Sequence, residues 1–188
     1  GIYLRSSNNT LTNITISNIS SSSASSAADS HGIYLGGDSN TFTHITISNI
    51  SASSSSYGIF LNGASSSNTL THITISNISS NFSTTGISLD GSSNTLTHVT
   101  ILNISSSSSY HYNPYGIALS GRSNTLTNIT ISNISSSSSS SSSSFGIYFN
   151  SDNNTLSNAS ISYSKHNGIF VQNGKANNTL RNVLVYKN

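Results

Sequence analysis

Three histidines, His44, His72 and His98, recur every 26 to 28 residues inside one phrase, Thr-His-(Ile/Val)-Thr. If that phrase marks one level of a stacked structure, the imidazoles lie above one another at about 4.8 Å. There they could share a soft or borderline divalent ion such as copper or zinc. Other copies of the phrase carry Asn13, Asn128, Asn158 and Asn182 at the same place, and His joins Asn among the residues enriched in left-handed backbone. A turn role explains the column equally, so no metal or other cofactor is assigned from it. Carboxylates are scarcer still: Asp29, Asp38, Asp90 and Asp152, with no Glu. Cleavage of a glycosidic bond uses two carboxyl groups facing one substrate. Asp38, Asp90 and Asp152 fall in alternate copies of the repeat, about 10 Å apart along a stack from one to the next. Turn formation is their expected role, and the chain is read as non-enzymatic.

These residues are positioned by a repeat. Aligned on the glycine of a Gly-Ile-aromatic-Leu phrase, the copies start at Gly1, Gly32, Gly58, Gly86, Gly116, Gly146 and Gly168, with lengths of 31, 26, 28, 30, 30 and 22 residues and 21 to the end. Self-similarity at this period marks a solenoid, whose units bury an apolar face only when stacked. The 188 residues are expected to form one domain, itself a whole protein or a piece of a longer chain. Ile2 and Leu4 alternate with Tyr3, and Ile14 and Ile16 with Thr15 and Ser17, the period of a half-buried strand. The steps of three, Leu11 to Ile14 and Ile16 to Ile19, require bends near Asn13 and Asn18, giving short strands joined by corners. Inward columns are Ile2, Ile33, Ile59, Ile87, Ile117, Ile147, Ile169 and Ile16, Ile47, Ile75, Ile101, Ile131, Ile161, Val185. Asn9, Asn40, Asn68, Asn94, Asn124, Asn154 and Asn178 form a column without exception, expected to supply turn chemistry with amide bonding between coils. The serine-rich stretches, such as 20–30 and 135–144, all fall between the last Ile and the next Gly, hence at one corner.

The G-I-Y-L and S-N-N-T-L-x-N-x-I phrases resemble, over the whole chain, the right-handed parallel β-helix repeat proteins of the NosD-like and carbohydrate-binding or sugar-hydrolysis type. The resemblance implies an all-β fold, a right-handed single-stranded parallel β-helix (β-solenoid) of seven coils with Ser-rich loops at one corner. It keeps carbohydrate binding or processing open as an alternative function. NosD-like proteins are linked to copper-site maturation, which bears on the His column. The apolar spacing of L-T-N-I-T-I-S-N-I is similar to that of leucine-rich repeats, but its Asn sits one place early and the second strand, G-I-Y-L, has no counterpart there.

On the outside, Thr10, Thr12, Thr41, Thr43, Thr69, Thr71, Thr95, Thr97, Thr125 and Thr127 form flat T-x-T ranks that resemble ice-binding β-solenoids, although Thr suits any solvated strand face. Tyr3, Tyr34, Phe60, Tyr148 and Phe170 form an interrupted aromatic stripe able to stack on a sugar or a partner chain. The serine-rich inserts are expected to fold back over it.

Charged residues are 5% of the chain against roughly 25% in ordinary soluble domains, so solubility rests on hydroxyls, amides or attached sugars. There is no basic stripe, and no nucleic-acid partner is expected. No apolar run is long enough to cross a membrane, and without Cys there are no disulfides. Asn81, Asn13, Asn18, Asn49, Asn77, Asn103, Asn128 and Asn133 head N-x-S/T sequons, as do Asn8, Asn153, Asn158 and Asn177. Asn81, inside an insert, is the clearest glycan acceptor. Unpaired strand edges at the ends of a β-helix invite another chain, so end-to-end self-association is expected. The sequence is therefore read as an extracellular or cell-surface structural solenoid, a stalk, adhesin segment or filament subunit.

Overall fold

The computed structural model describes residues 1–22, 29–107, 113–137 and 143–188. Fourteen strands alternate short and long. The short ones are β1 (Ile2–Leu4), β3 (Ser30–Leu35), β5 (Ser56–Leu61), β7 (Thr84–Leu89), β9 (Tyr115–Leu119), β11 (Phe145–Phe149) and β13 (Asn167–Val171). The long ones are β2 (Thr10–Ser21), β4 (Thr41–Ala52), β6 (Thr69–Ser80), β8 (Thr95–Ser106), β10 (Thr125–Ser136), β12 (Thr155–Ser164) and β14 (Thr179–Tyr186). Each set makes one seven-stranded, all-parallel sheet in coil order, so the chain is a parallel β-solenoid of about six turns, with no helix among the described residues.

Register follows the repeat: Ile16 pairs with Ile47, and Ile47 with Ile75. Ile47, Ile75, Ile101, Ile131 and Ile161 are fully buried in one continuous core with Leu70, Leu96, Leu126 and the short-strand column Ile33 to Ile147. Each such side chain contributes about 1.5–3 kcal/mol, which offsets the ordering of coils that touch only their neighbours.

The long strands are folded twice without interrupting the sheet. Asn13 and Asn18 have φ of 58° and 57°, and each following coil repeats both values within a few degrees. Pairing skips these residues, passing from Thr12↔Thr43 to Ile14↔Ile45. A left-handed residue turns the chain while keeping both neighbours inward, and Asn adopts it at small cost. A third left-handed file runs Asn8, Ser39, Ser67, Ser93, Ser123, Asn153 and Asn177. The pattern breaks in the last two coils, where Tyr163 (φ 53°) and Lys187 (φ 55°) take the corner Asn of other coils. For a bulky residue this backbone is strained. Tyr163→Asn is expected to raise stability by about 1 kcal/mol, through relief of strain and an added amide rung, as read by chemical denaturation. An unchanged or lower midpoint would contradict it.

The Asn9 column bonds within its own turn, as Asn124 Nδ2 does to Gly121 O (2.8 Å), and also from coil to coil, but the left-handed angle falls on the residue before it. The column points inward, and Asn40, Asn68, Asn94, Asn124 and Asn154 are wholly buried. Each backbone N–H donates to the next carboxamide: Asn40 N to Asn68 Oδ1 (2.7 Å), Asn68 N to Asn94 Oδ1 (2.9 Å), Asn94 N to Asn124 Oδ1 (2.8 Å) and Asn124 N to Asn154 Oδ1 (2.8 Å). At the turn leaving β1 and its equivalents, the backbone is released from strand pairing, and these side chains satisfy it.

Strand pairing also runs further into the serine-rich segments than the last-Ile boundary implied. β2 ends at Ser21 and β3 begins at Ser30, because inward hydroxyls find carbonyls: Ser30 Oγ donates to Ser51 O (3.2 Å), Ser56 Oγ to Ser79 O (2.8 Å) and Thr84 Oγ1 to Ser105 O (2.7 Å). Pro114 occupies the matching place one coil on, and there Ser106 Oγ is buried with no hydrogen-bond partner among the described residues.

Candidate functional site

The corner of the long strands brings His44, His72 and His98 together as expected. Their rings stack at 4.8 Å between centroids, tilted by 11° and 2°, and the Asn128 amide donates to His98 Nε2 at 3.0 Å. One zinc ion holds its nitrogens at about 2.0–2.1 Å, so any two lie within roughly 4.2 Å of each other. Parallel rings 4.8 Å apart keep equivalent nitrogens beyond that. Among the described residues no group of three or more His, Cys, Asp or Glu is placed to hold a metal. The column is an exposed ladder of rings continued by amides.

Beside it runs a shallow groove of about 720 Å³, spanning five coils, lined by this ladder and by Thr46, Thr74, Thr100 and Thr130. No carboxylate, lysine or arginine lines it. The acids lie elsewhere and bind backbone. Asp29 Oδ1 accepts from Ser55 N (3.1 Å), Asp38 Oδ1 from Ser66 N (2.6 Å) and Asp152 Oδ1 from Ala176 N (2.9 Å), each a link to the next coil. Asp152 also faces Arg122 at 3.4 Å.

Asp90 differs. It is half-buried, burial pushes its carboxyl above the usual range, and hydrogen bonds from Ser88 and Ser120 oppose that shift. A raised folded value means that folding favours the neutral acid. The contribution is present below the unfolded value and lost as pH rises through the folded one. Asp90→Asn is therefore expected to stabilise the chain at neutral pH, by less than about 1 kcal/mol given screening. The gain should vanish in acid, checked by paired denaturation curves; an equal gain at both pH values would contradict the assignment.

The aromatic stripe is assembled in two blocks. Tyr3 stacks on Tyr34 at 4.3 Å and Tyr34 meets Phe60 at 5.5 Å; Tyr148 stacks on Phe170 at 5.7 Å. Ser88 and Ala118 fill the intervening rungs. Each phenol of the stripe is tied off by a residue just past the end of a short strand: Arg5 donates to Tyr3 OH, Asn62 Nδ2 to Tyr34 OH (2.8 Å), and Tyr148 OH donates to Gln172 Oε1 (2.9 Å). A second file of rings lies beside the stripe. His31 stacks on Tyr57 at 5.0 Å and Tyr115 on Phe145 at 5.6 Å. Burial there pushes His31 below and the Tyr57 and Tyr115 phenols above their ordinary values. Its signal was an aromatic or His one residue before the repeat glycine. For the three longest inserts, the expected fold-back over the stripe falls on residues 23–28, 108–112 and 138–142, outside the described residues.

The Thr files stand in register, Thr10↔Thr41↔Thr69↔Thr95↔Thr125 and Thr12↔Thr43↔Thr71↔Thr97↔Thr127, on a four-residue ribbon between two left-handed files. Of the sequons, Asn18, Asn49, Asn77, Asn103 and Asn133 share the second long-strand corner as an exposed amide ladder. Asn13 and Asn128 share the first. Asn81 lies in the bend between β6 and β7.

No protein-family model, no curated protein and no solved structure matches this chain.

Proposed function

We propose that the chain is a non-enzymatic structural solenoid of the extracellular space or cell surface, a spacer whose length is set by the number of rungs. One observation carries this reading: the same three left-handed files, the buried amide ladder and the apolar columns repeat with little change from coil to coil, while the groove and stripe are made of repeat positions rather than of a convergent set of reactive groups. Scarce charge and abundant sequons support an extracellular setting. Self-association by rung stacking belongs to the same proposal. Leu180, Leu184, Val185 and Tyr186 are exposed on the last coil, and their inward members are the side chains that a further rung covers elsewhere. A second copy and additional coils offer the same surface.

A whole-coil deletion tests the reading. Removing residues 86–115 joins equivalent points of the repeat and is expected to leave a folded, shorter solenoid with the same surface behaviour, because each coil contacts only its neighbours. Collapse of the fold would sink it. The second reading, a carbohydrate-binding β-helix of the kind the phrases resemble, is favoured by the 720 Å³ groove and the aromatic blocks. A glycan-array signal abolished by Tyr148→Ala with Phe170→Ala would establish that reading instead.

A further inference from the structure

The sequons fall into two physical kinds. At the second corner, Asn49 Nδ2 donates to Asn18 Oδ1 (3.3 Å), Asn77 to Asn49 (3.1 Å), Asn103 to Asn77 (2.9 Å) and Asn133 to Asn103 (2.8 Å). Asn49, Asn77 and Asn103 are thus each donor and acceptor, held between amides one coil away. A pyranose with its substituents is wider than a coil spacing of about 4.8 Å. A sugar on any of these three nitrogens displaces a neighbouring rung. Asn81 is the other kind. It is exposed, its backbone N–H is taken by Ala52 O (3.2 Å), and its Oδ1 accepts from Ser107 Oγ (3.0 Å), with no hydrogen bond from Nδ2 to any of the described residues. Ser83, which completes its sequon, is in the same bend.

We propose that Asn81 is a glycan-attachment site of this chain, and that Asn49, Asn77 and Asn103, despite satisfying the same rule, stay bare in the folded solenoid. The proposal rests on the extracellular reading for its biological setting. The chemistry is transfer from a lipid-diphosphate-linked oligosaccharide by the secretory pathway's transferase. Asn81 Nδ2 forms a bond to the anomeric carbon, the bond from that carbon to the diphosphate oxygen breaks with its electron pair leaving on the lipid diphosphate, and Nδ2 gives up one proton to a base of the transferase. On the folded rod the product projects from the loop corner, where no ladder is interrupted.

The test is secretion of the full chain from a glycosylating eukaryotic host. Sugars are released in heavy-oxygen water from the folded, protease-resistant fraction, and each Asn is then mapped. The expected result is label at Asn81 and none at Asn49, Asn77 or Asn103. Asn81→Gln and Ser83→Ala should each lower the intact mass by one glycan, the second leaving Asn81 and its bond to Ser107 in place. Sugar on any of the three corner residues in that fraction, or a bare Asn81, overturns the proposal. The coil deletion separately addresses the spacer: a chain glycosylated at Asn81 that fails the deletion test keeps the site and loses the spacer.

Discussion

Asn94→Leu is expected to destabilise the solenoid by about 3–9 kcal/mol, because three buried groups lose their partner together and each orphan costs about 1–3 kcal/mol. Asn94 Oδ1 accepts from both Asn68 N (2.9 Å) and Asn68 Nδ2 (3.1 Å), and its Nδ2 donates to Ser65 O (3.0 Å), all inside the wall of the rod. Leucine fills the space and can reach none of them. The matched control is Asn77→Gly on the outer amide ladder, where glycine keeps the left-handed backbone (φ 55°), water replaces the lost bonds and the cost should be no more than about 1 kcal/mol. Hydrogen exchange at the amides of residues 68 to 96, together with denaturant midpoints, separates the two. Equal losses would mean that the inner ladder contributes no more than the outer one.

The second large effect concerns the glycine that opens each coil. At Gly116 an added Cβ would lie 2.5 Å from Gly146 O and 2.7 Å from Ile131 Cγ2, one a backbone atom of the next rung and the other a core side chain from the opposite sheet. Neither can withdraw without opening the stack. Gly116→Val should cost on the order of 4 kcal/mol or more, the upper end of overpacking effects, and separate the coils on either side. Gly63 has nothing within 4 Å of such a Cβ, so Gly63→Ala is expected to be neutral or slightly stabilising. Near-native stability of Gly116→Val would refute the close-approach account.

Much of the fold was legible because each coil poses the same packing problem and solves it with the same letters. The step of three between Leu11 and Ile14 demanded a bend, and the bend falls on Asn13. What the letters concealed was direction. Asn9 and Asn8 are adjacent and identical, yet one is half-buried and bonded to the next coil while the other is exposed and turns the chain. Composition could not rank them. The constancy of the Asn9 column against Asn and Ser in the Asn8 column was the available sign, since a turn tolerates Ser and a carboxamide ladder does not. The His column was placed correctly in space, but recurrence fixes only stacking. Convergence of ring nitrogens on one ion requires rings that tilt toward one another, and these lie flat.

Coils of 26 to 31 residues return to one register; two further residues are taken up in the turn from Leu61 to Thr69, and most of the difference is absorbed at the corner after each long strand. Foreign peptides of differing size, spliced there one per coil, would emerge along a single edge at a fixed vertical pitch. The molecule is in this sense a ruler with interchangeable pegs.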